Sequence, residues 1–137
     1  MSARRMLVIV TMAVPSMVLL LGAGRGPGES APTFKADVMP IFKKHCLPCH
    51  AEESLNPSEL ALDDHALLMK GGEHGAAVVP GKPEESLLVK KVLDDPPFGD
   101  RMPMRSKRRK NPDKPAQLTA EEIGVLREWV AGGAKND

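Results

Sequence analysis

The chain has 137 residues, with 19 Lys and Arg against 18 Asp and Glu, four His, two Cys, no Tyr, one Trp and three Phe. A formal charge of +1 names no partner, and so few aromatic rings argue against a domain that stacks on bases. The length allows one small domain, and the shortage of bulky aromatics leaves a core that protein side chains alone fill poorly.

Arg4 and Arg5 precede an apolar run from Met6 to Leu21, which ends in the small residues Gly22-Ala23-Gly24. A charged start, an apolar centre and a small-residue exit predict an export signal over residues 1–24. The run contains Thr11, Pro15 and Ser16 and is shorter than the roughly 20 apolar residues of a comfortable membrane span. Cleavage is expected, and an uncleaved N-terminal anchor is the alternative. Loss of Arg4 and Arg5 takes the formal charge from +1 to −1. Residues 25–33, rich in Gly, Pro and Ser, read as a linker, which leaves 34–137 as the folded domain.

That domain opens with a predicted helix. Asp37 is the candidate N-cap, Pro40 falls in the first turn where no intrahelical N–H is needed, and Val38, Ile41 and Phe42 share a face. The helix runs into His45 and so delivers Cys46-Leu47-Pro48-Cys49-His50 from its C-terminal end. His45 itself is expected to face solvent or cap the helix end.

The five residues from Cys46 to His50 carry the chemistry. Two thiols three residues apart, followed at once by an imidazole, suit covalent attachment of one haem c: both sulfurs form thioethers with the vinyl groups, and His50 supplies an axial ligand. The two cysteines and four histidines, shuffled over this length, produce the string in about 4 of 10,000 arrangements. Three rival chemistries use the same residues. A redox dithiol wants a strand before the CxxC, where this chain has a helix. A zinc site would add one of His45, His65 or His74 to Cys46, Cys49 and His50, without a second ligand pair at finger-like spacing. A disulfide across two residues would close too short a loop to staple much chain.

From Ala51 to Pro83 the breakers Asn56-Pro57, Gly71-Gly72, Gly75 and Pro80-Gly81 predict a long loop with a single helical turn around Asp64 to Met69. Leu60, Leu62, Leu67, Leu68, Val78 and Val79 are expected to cover a haem edge, since a loop of this length in a compact domain is usually functional. Pro83 to Leu93 then reads as a short helix with proline at its start, acids in its first turn and lysines later. Asp94-Asp95-Pro96-Pro97 stops it.

A second axial ligand is expected beyond that helix. Met102, in the non-helical Arg101-Met102-Pro103, is the candidate thioether, with Met104 as runner-up and His74 or His65 behind it. For any single methionine the plainer role is core filler. Arg105 to Lys110 follow as a basic run, which either is solvated or steers an acidic redox partner. The last helix is marked by the capping box Thr119 to Glu122, by Ile123, Leu126, Trp129 and Val130 at helical spacing, and by Gly132-Gly133 at its end. No strand pattern of comparable strength appears, so the fold class is all-α, with three to five short helices and long haem-wrapping loops.

Read in order, Phe34 to Phe42, His45 to His50, Leu60-Ala61-Leu62-Asp63, Gly71-Gly72, Val79 to Leu88, Arg101-Met102-Pro103 and Leu118 to Ala134 resemble the planctomycete-type cytochrome c domain. The resemblance covers nearly all of 34–137 and departs from it where Met104 to Gln117 intervene. It implies a small class I cytochrome c-like fold, haem c on Cys46 and Cys49, and iron held by His50 and Met102. The expected function is an exported monohaem electron carrier and not an enzyme. The alternative is a haem enzyme or a peroxide or gas sensor whose distal methionine is labile, with the zinc module third. Redox proteins are the expected partners.

Overall fold

The computed structural model describes residues 30–47, 49–104 and 117–137. The export signal, most of the linker and the basic run Arg105 to Lys110 lie outside the described residues. Four α-helices and no β-strand form among the described residues, so the all-α expectation holds. None of these helices is long and apolar enough to cross a membrane.

The first helix begins earlier and wider than its sequence suggests. A π-helical turn, Phe34–Val38, runs directly into α1, Met39–His45. The cap is Thr33 and not Asp37: the Thr33 hydroxyl accepts from the Ala36 N–H, while the Asp37 carboxylate reaches back to accept from the Thr33 N–H at 2.8 Å. The wide turn lies just before Pro40, whose ring crowds the carbonyl one turn back and which brings no N–H of its own.

Asp64 caps α2, His65–Lys70, by accepting from the Leu67 N–H, which realises the single turn expected there. A 3-10 turn at Pro57–Glu59 precedes it. Helix α3, Leu87–Val92, is shorter than expected. It starts after Pro83 because the fully buried Ser86 hydroxyl is used elsewhere: it accepts from the Val79 N–H and donates to the Lys82 carbonyl, both at 2.9 Å. Glu84 and Glu85 therefore precede the helix and do not sit on its first turn. Helix α4, Ala120–Ala131, has the expected capping box, with both bonds between Thr119 and Glu122 made, and ends at Gly132.

The core is a single cluster in which Phe34, Phe42 and Trp129 are the large members. The N-terminal turn packs on α4, with the Phe34 and Trp129 rings 5.6 Å apart. The C-terminus returns to this end: Asp137 accepts from the Phe34 and Lys35 N–H groups, and the Trp129 indole donates to the Lys135 carbonyl. Three of the four aromatic residues, Phe34, Phe42 and Trp129, are thus gathered in this core, and the fourth, Phe98, lies at the cleft lined by Cys46 and His50.

His45 corrects its expectation. It is 5% exposed, and its Nε2 lies 2.9 Å from Glu122 Oε2, while Lys44 Nζ lies 2.8 Å from Oε1. One carboxylate thereby joins the end of α1 to the start of α4 and caps α4 as well. Burial alone would push the Glu122 carboxyl up, but the hydrogen bonds from Lys44, the Thr119 N–H and His45 outweigh it and hold the group below its ordinary value. Glu122→Gln is expected to cost about 2 kcal/mol near neutral pH, from a weakened cap and a buried imidazole left with a poorer partner. A carboxyl that titrates lower folded than unfolded stabilises fully above the ordinary value of 4.5 and stops doing so as pH falls through its folded value. The gap between wild type and variant in urea midpoints should therefore narrow from about pH 7 to about pH 3, and a gap of constant size would refute this account.

Candidate functional site

The site starts at the end of α1, where the chain keeps turning. Cys46 and Leu47 N–H both donate to the Phe42 carbonyl, and the His50 N–H donates to the Cys46 carbonyl at 3.1 Å. That spacing of one helical turn places Cys46 and His50 on the same side, and both line one cleft. Cys49 is exposed, and its carbonyl accepts from the Ser54 hydroxyl at 2.9 Å. Both cysteines are free thiols.

His50 is held at two points by the segment Leu60 to Leu62. Its carbonyl accepts from the Leu62 N–H at 2.7 Å, and its ring Nδ1 lies 3.1 Å from the Leu60 carbonyl oxygen. A carbonyl can only accept, so Nδ1 must carry the proton. Nε2 is then left with its lone pair free, the arrangement found for metal-ligating histidines whose other nitrogen donates to the backbone.

The remaining cleft lining is mainly apolar: Leu60 and Leu62 from the loop, Leu87, Leu88 and Val92 from α3, then Phe98 and Met102 from the loop that follows. Ser58, His74 and Lys91 complete it. Two other hollows, one beside Glu52, Asn56, Glu59 and Lys70 and the other beside Asp94, Asp100, Arg101 and Gln117, are lined chiefly by polar residues.

The Met102 loop is fastened to α3. The last carbonyls of a helix have no intrahelical donor. Here Met102 N–H donates to Lys91 O at 2.7 Å and Arg101 Nε to Val92 O at 2.8 Å. Arg101 also pairs with Asp94, and Gln117 donates to the Pro103 carbonyl.

The structure separates the two methionines. Met102 lines the cleft with Cys46 and His50, whereas Met104 is 57% exposed and lies beside Asp94 and Gln117. The histidines separate as well. His65 donates to the Ala134 carbonyl at 2.8 Å and packs against Phe34 in the aromatic end, so it is a structural residue. His74 does reach the cleft, with its ring 4.6 Å from that of Phe98. Among the described residues no group of three or more His, Cys, Asp or Glu is gathered to hold a metal ion. Of the six residues expected to cover haem, Leu60 and Leu62 line the cleft, but Leu68 and Val78 are buried in the protein core and Leu67 faces a polar hollow. Their apolar character could not separate these fates, since core and cleft select the same side chains.

Lys91 and the Leu60 carbonyl are features of the cleft that the sequence did not disclose. A lysine late in a helix reads as a response to the helix dipole, and a backbone carbonyl has no residue signature. Leu87, Leu88, Lys91 and Val92, by contrast, do recur at helical spacing, a signal for a second wall.

Burial, with the neighbouring Cys49 adding to it, pushes the Cys46 thiol up to about 12. Before haem is attached, exposed Cys49 should be alkylated first at about pH 8, with Cys46 slower by at least about a hundredfold. Raising the pH toward 12 should close that gap, because only the thiolate reacts. Peptide mapping that found both labelled at one rate would contradict the partial burial of Cys46.

The described residues form a small all-helical domain in which Cys46 and His50 of the Cys-x-x-Cys-His segment line an apolar cleft, with the His50 proton on Nδ1, features that suit the c-type cytochrome class. Consistent with that class, the planctomycete cytochrome C family model matches residues 46–103, from the first cysteine of the motif to the proline after Met102. The match supports haem binding. No curated protein and no solved structure matches the chain.

Proposed function

We propose that the protein is an exported electron carrier with one haem c, attached through Cys46 and Cys49 and ligated by His50 and Met102. The observation that carries this reading is the His50 ring: its Nδ1 proton is committed to the Leu60 carbonyl at 3.1 Å, and the free Nε2 belongs to a residue of the apolar cleft that Met102 also lines. Bound there, haem supplies a one-electron couple at its iron. Cys46 and Cys49 provide the thiols. Leu60 keeps the imidazole in one tautomer and orientation. The leucines and Val92 keep water from the site, which together with a neutral thioether favours the reduced state.

Ligands on both sides leave no position for a substrate, hence a carrier and not an enzyme. Export is inferred from Arg4, Arg5 and the apolar run Met6 to Leu21, and an acidic redox partner from the basic run Arg105 to Lys110. The test is a pyridine haemochrome assay on protein exported by cells with a haem maturation system, combined with N-terminal sequencing. One covalent haem per chain and a new N-terminus near residue 25 are expected. A colourless exported protein would end the proposal.

A further inference from the structure

We propose that Lys91 is the positioning residue that aims Met102 into the cleft, an inference that rests on Met102 being the distal ligand. Its backbone and its side chain hold the same loop. The Lys91 carbonyl accepts from the Met102 N–H at 2.7 Å. Its ammonium donates to the carbonyls of Phe98 and Asp100, both at 2.7 Å, and stands 4.8 Å from the centre of the Phe98 ring. Phe98 in turn packs on His74 at 4.6 Å.

The charge chemistry explains why a lysine is needed. An ammonium has three donors and no acceptor, so two can be given to loop carbonyls while the cation still faces an aromatic ring. Segment 98–102 contains Gly99 at a φ of +55° and forms no helix or strand, so it has no hydrogen-bond ladder of its own. Its backbone order comes from α3, and Lys91 provides three of the bonds that tie it there. Lys90, the neighbour on the same helix, makes no hydrogen bond to this loop among the described residues, where the Phe98 and Asp100 carbonyls accept from Lys91.

A purely structural lysine would affect folding and leave the iron's ligand set alone, whereas a positioning residue changes how firmly the thioether stays on iron. The test uses the haem-loaded full-length chain and two spectroscopic readouts. One is the weak charge-transfer band that a thioether ligand gives ferric haem at the red end of the visible spectrum. The other is the rate at which carbon monoxide enters the ferrous protein. Lys91→Met, which keeps the aliphatic stem and removes the donors, is expected to lose most of the band and to admit carbon monoxide at least about tenfold faster. Lys91→Arg, with a cation and donors for the same carbonyls, should restore most of the band, and Lys90→Met should leave both readouts at wild-type values. If Lys91→Met does not accumulate, Lys91→Gln carries the same test with an intermediate expectation. A wild-type protein that has the band, beside a folded Lys91→Met or Lys91→Gln that keeps it and stays inert to carbon monoxide, overturns the role of Lys91 and leaves the ligation intact. A wild-type protein without the band removes Met102 as ligand, and the proposal falls with it.

Discussion

Met102→Ala is expected to keep its covalent haem and lose its low-spin six-coordinate spectrum, while Met104→Ala should match wild type in every haem property. The contrast follows from their places in the structure. Met102 lines the cleft that holds Cys46 and His50, and Met104 is largely exposed beside Asp94 and Gln117. With the thioether gone, water or added ligands reach iron, so carbon monoxide binding should accelerate by at least about a hundredfold. The reduction potential should fall by on the order of 100 mV, a fraction of the roughly 0.8 V that axial ligands span. Redox titration and stopped-flow carbon monoxide mixing read both effects. The reverse pattern, with Met104→Ala altered and Met102→Ala unchanged, would transfer the ligand role to Met104. Unchanged spectra in both would bring His74 forward, the remaining histidine of the cleft.

The sequence showed some of this site clearly and concealed the rest for identifiable reasons. Cys46, Cys49 and His50 were legible as candidates because the chemistry proposed for them needs a fixed local spacing, which one continuous segment displays. The α4 capping box was legible for the same reason: Thr119 and Glu122 satisfy each other within one turn. His45 was misjudged because its partner, Glu122, lies 77 positions away and nothing local announces it. The start of α3 was misplaced because Ser86 is committed to Val79 and Lys82, a tertiary use that overrides the helix-favouring run from Pro83. Lys91 stayed hidden because what it binds are carbonyls. Backbone acceptors belong to every residue type, so a side chain that organises a loop through them leaves no pattern to read.

Gly72→Ala is expected to damage the haem site through the backbone behind it. A Cβ on Gly72 would sit 2.4 Å from the Ser58 carbonyl oxygen and 3.1 Å from both the Leu60 amide nitrogen and its Cβ. Two of these are backbone atoms and cannot swing aside as a flexible side chain would, so the segment Ser58 to Leu60 must move. The cost should be about 3 kcal/mol, in the upper part of the range for overpacked sites. Moving Leu60 displaces the carbonyl that fixes the His50 tautomer and ring orientation, so the variant should also show a changed ferric spectrum and easier displacement of the imidazole in acid. Gly75→Ala is the matched comparison. Its φ of +86° makes any side chain costly, by about 1–2 kcal/mol, yet a Cβ there meets nothing within 4 Å. It should therefore lower the urea midpoint and leave the haem spectrum alone. If both variants lost stability with identical wild-type spectra, the Leu60 carbonyl would not be what orients His50; if Gly72→Ala alone shifted the spectrum, the hydrogen bond at 3.1 Å would be established as part of the iron site.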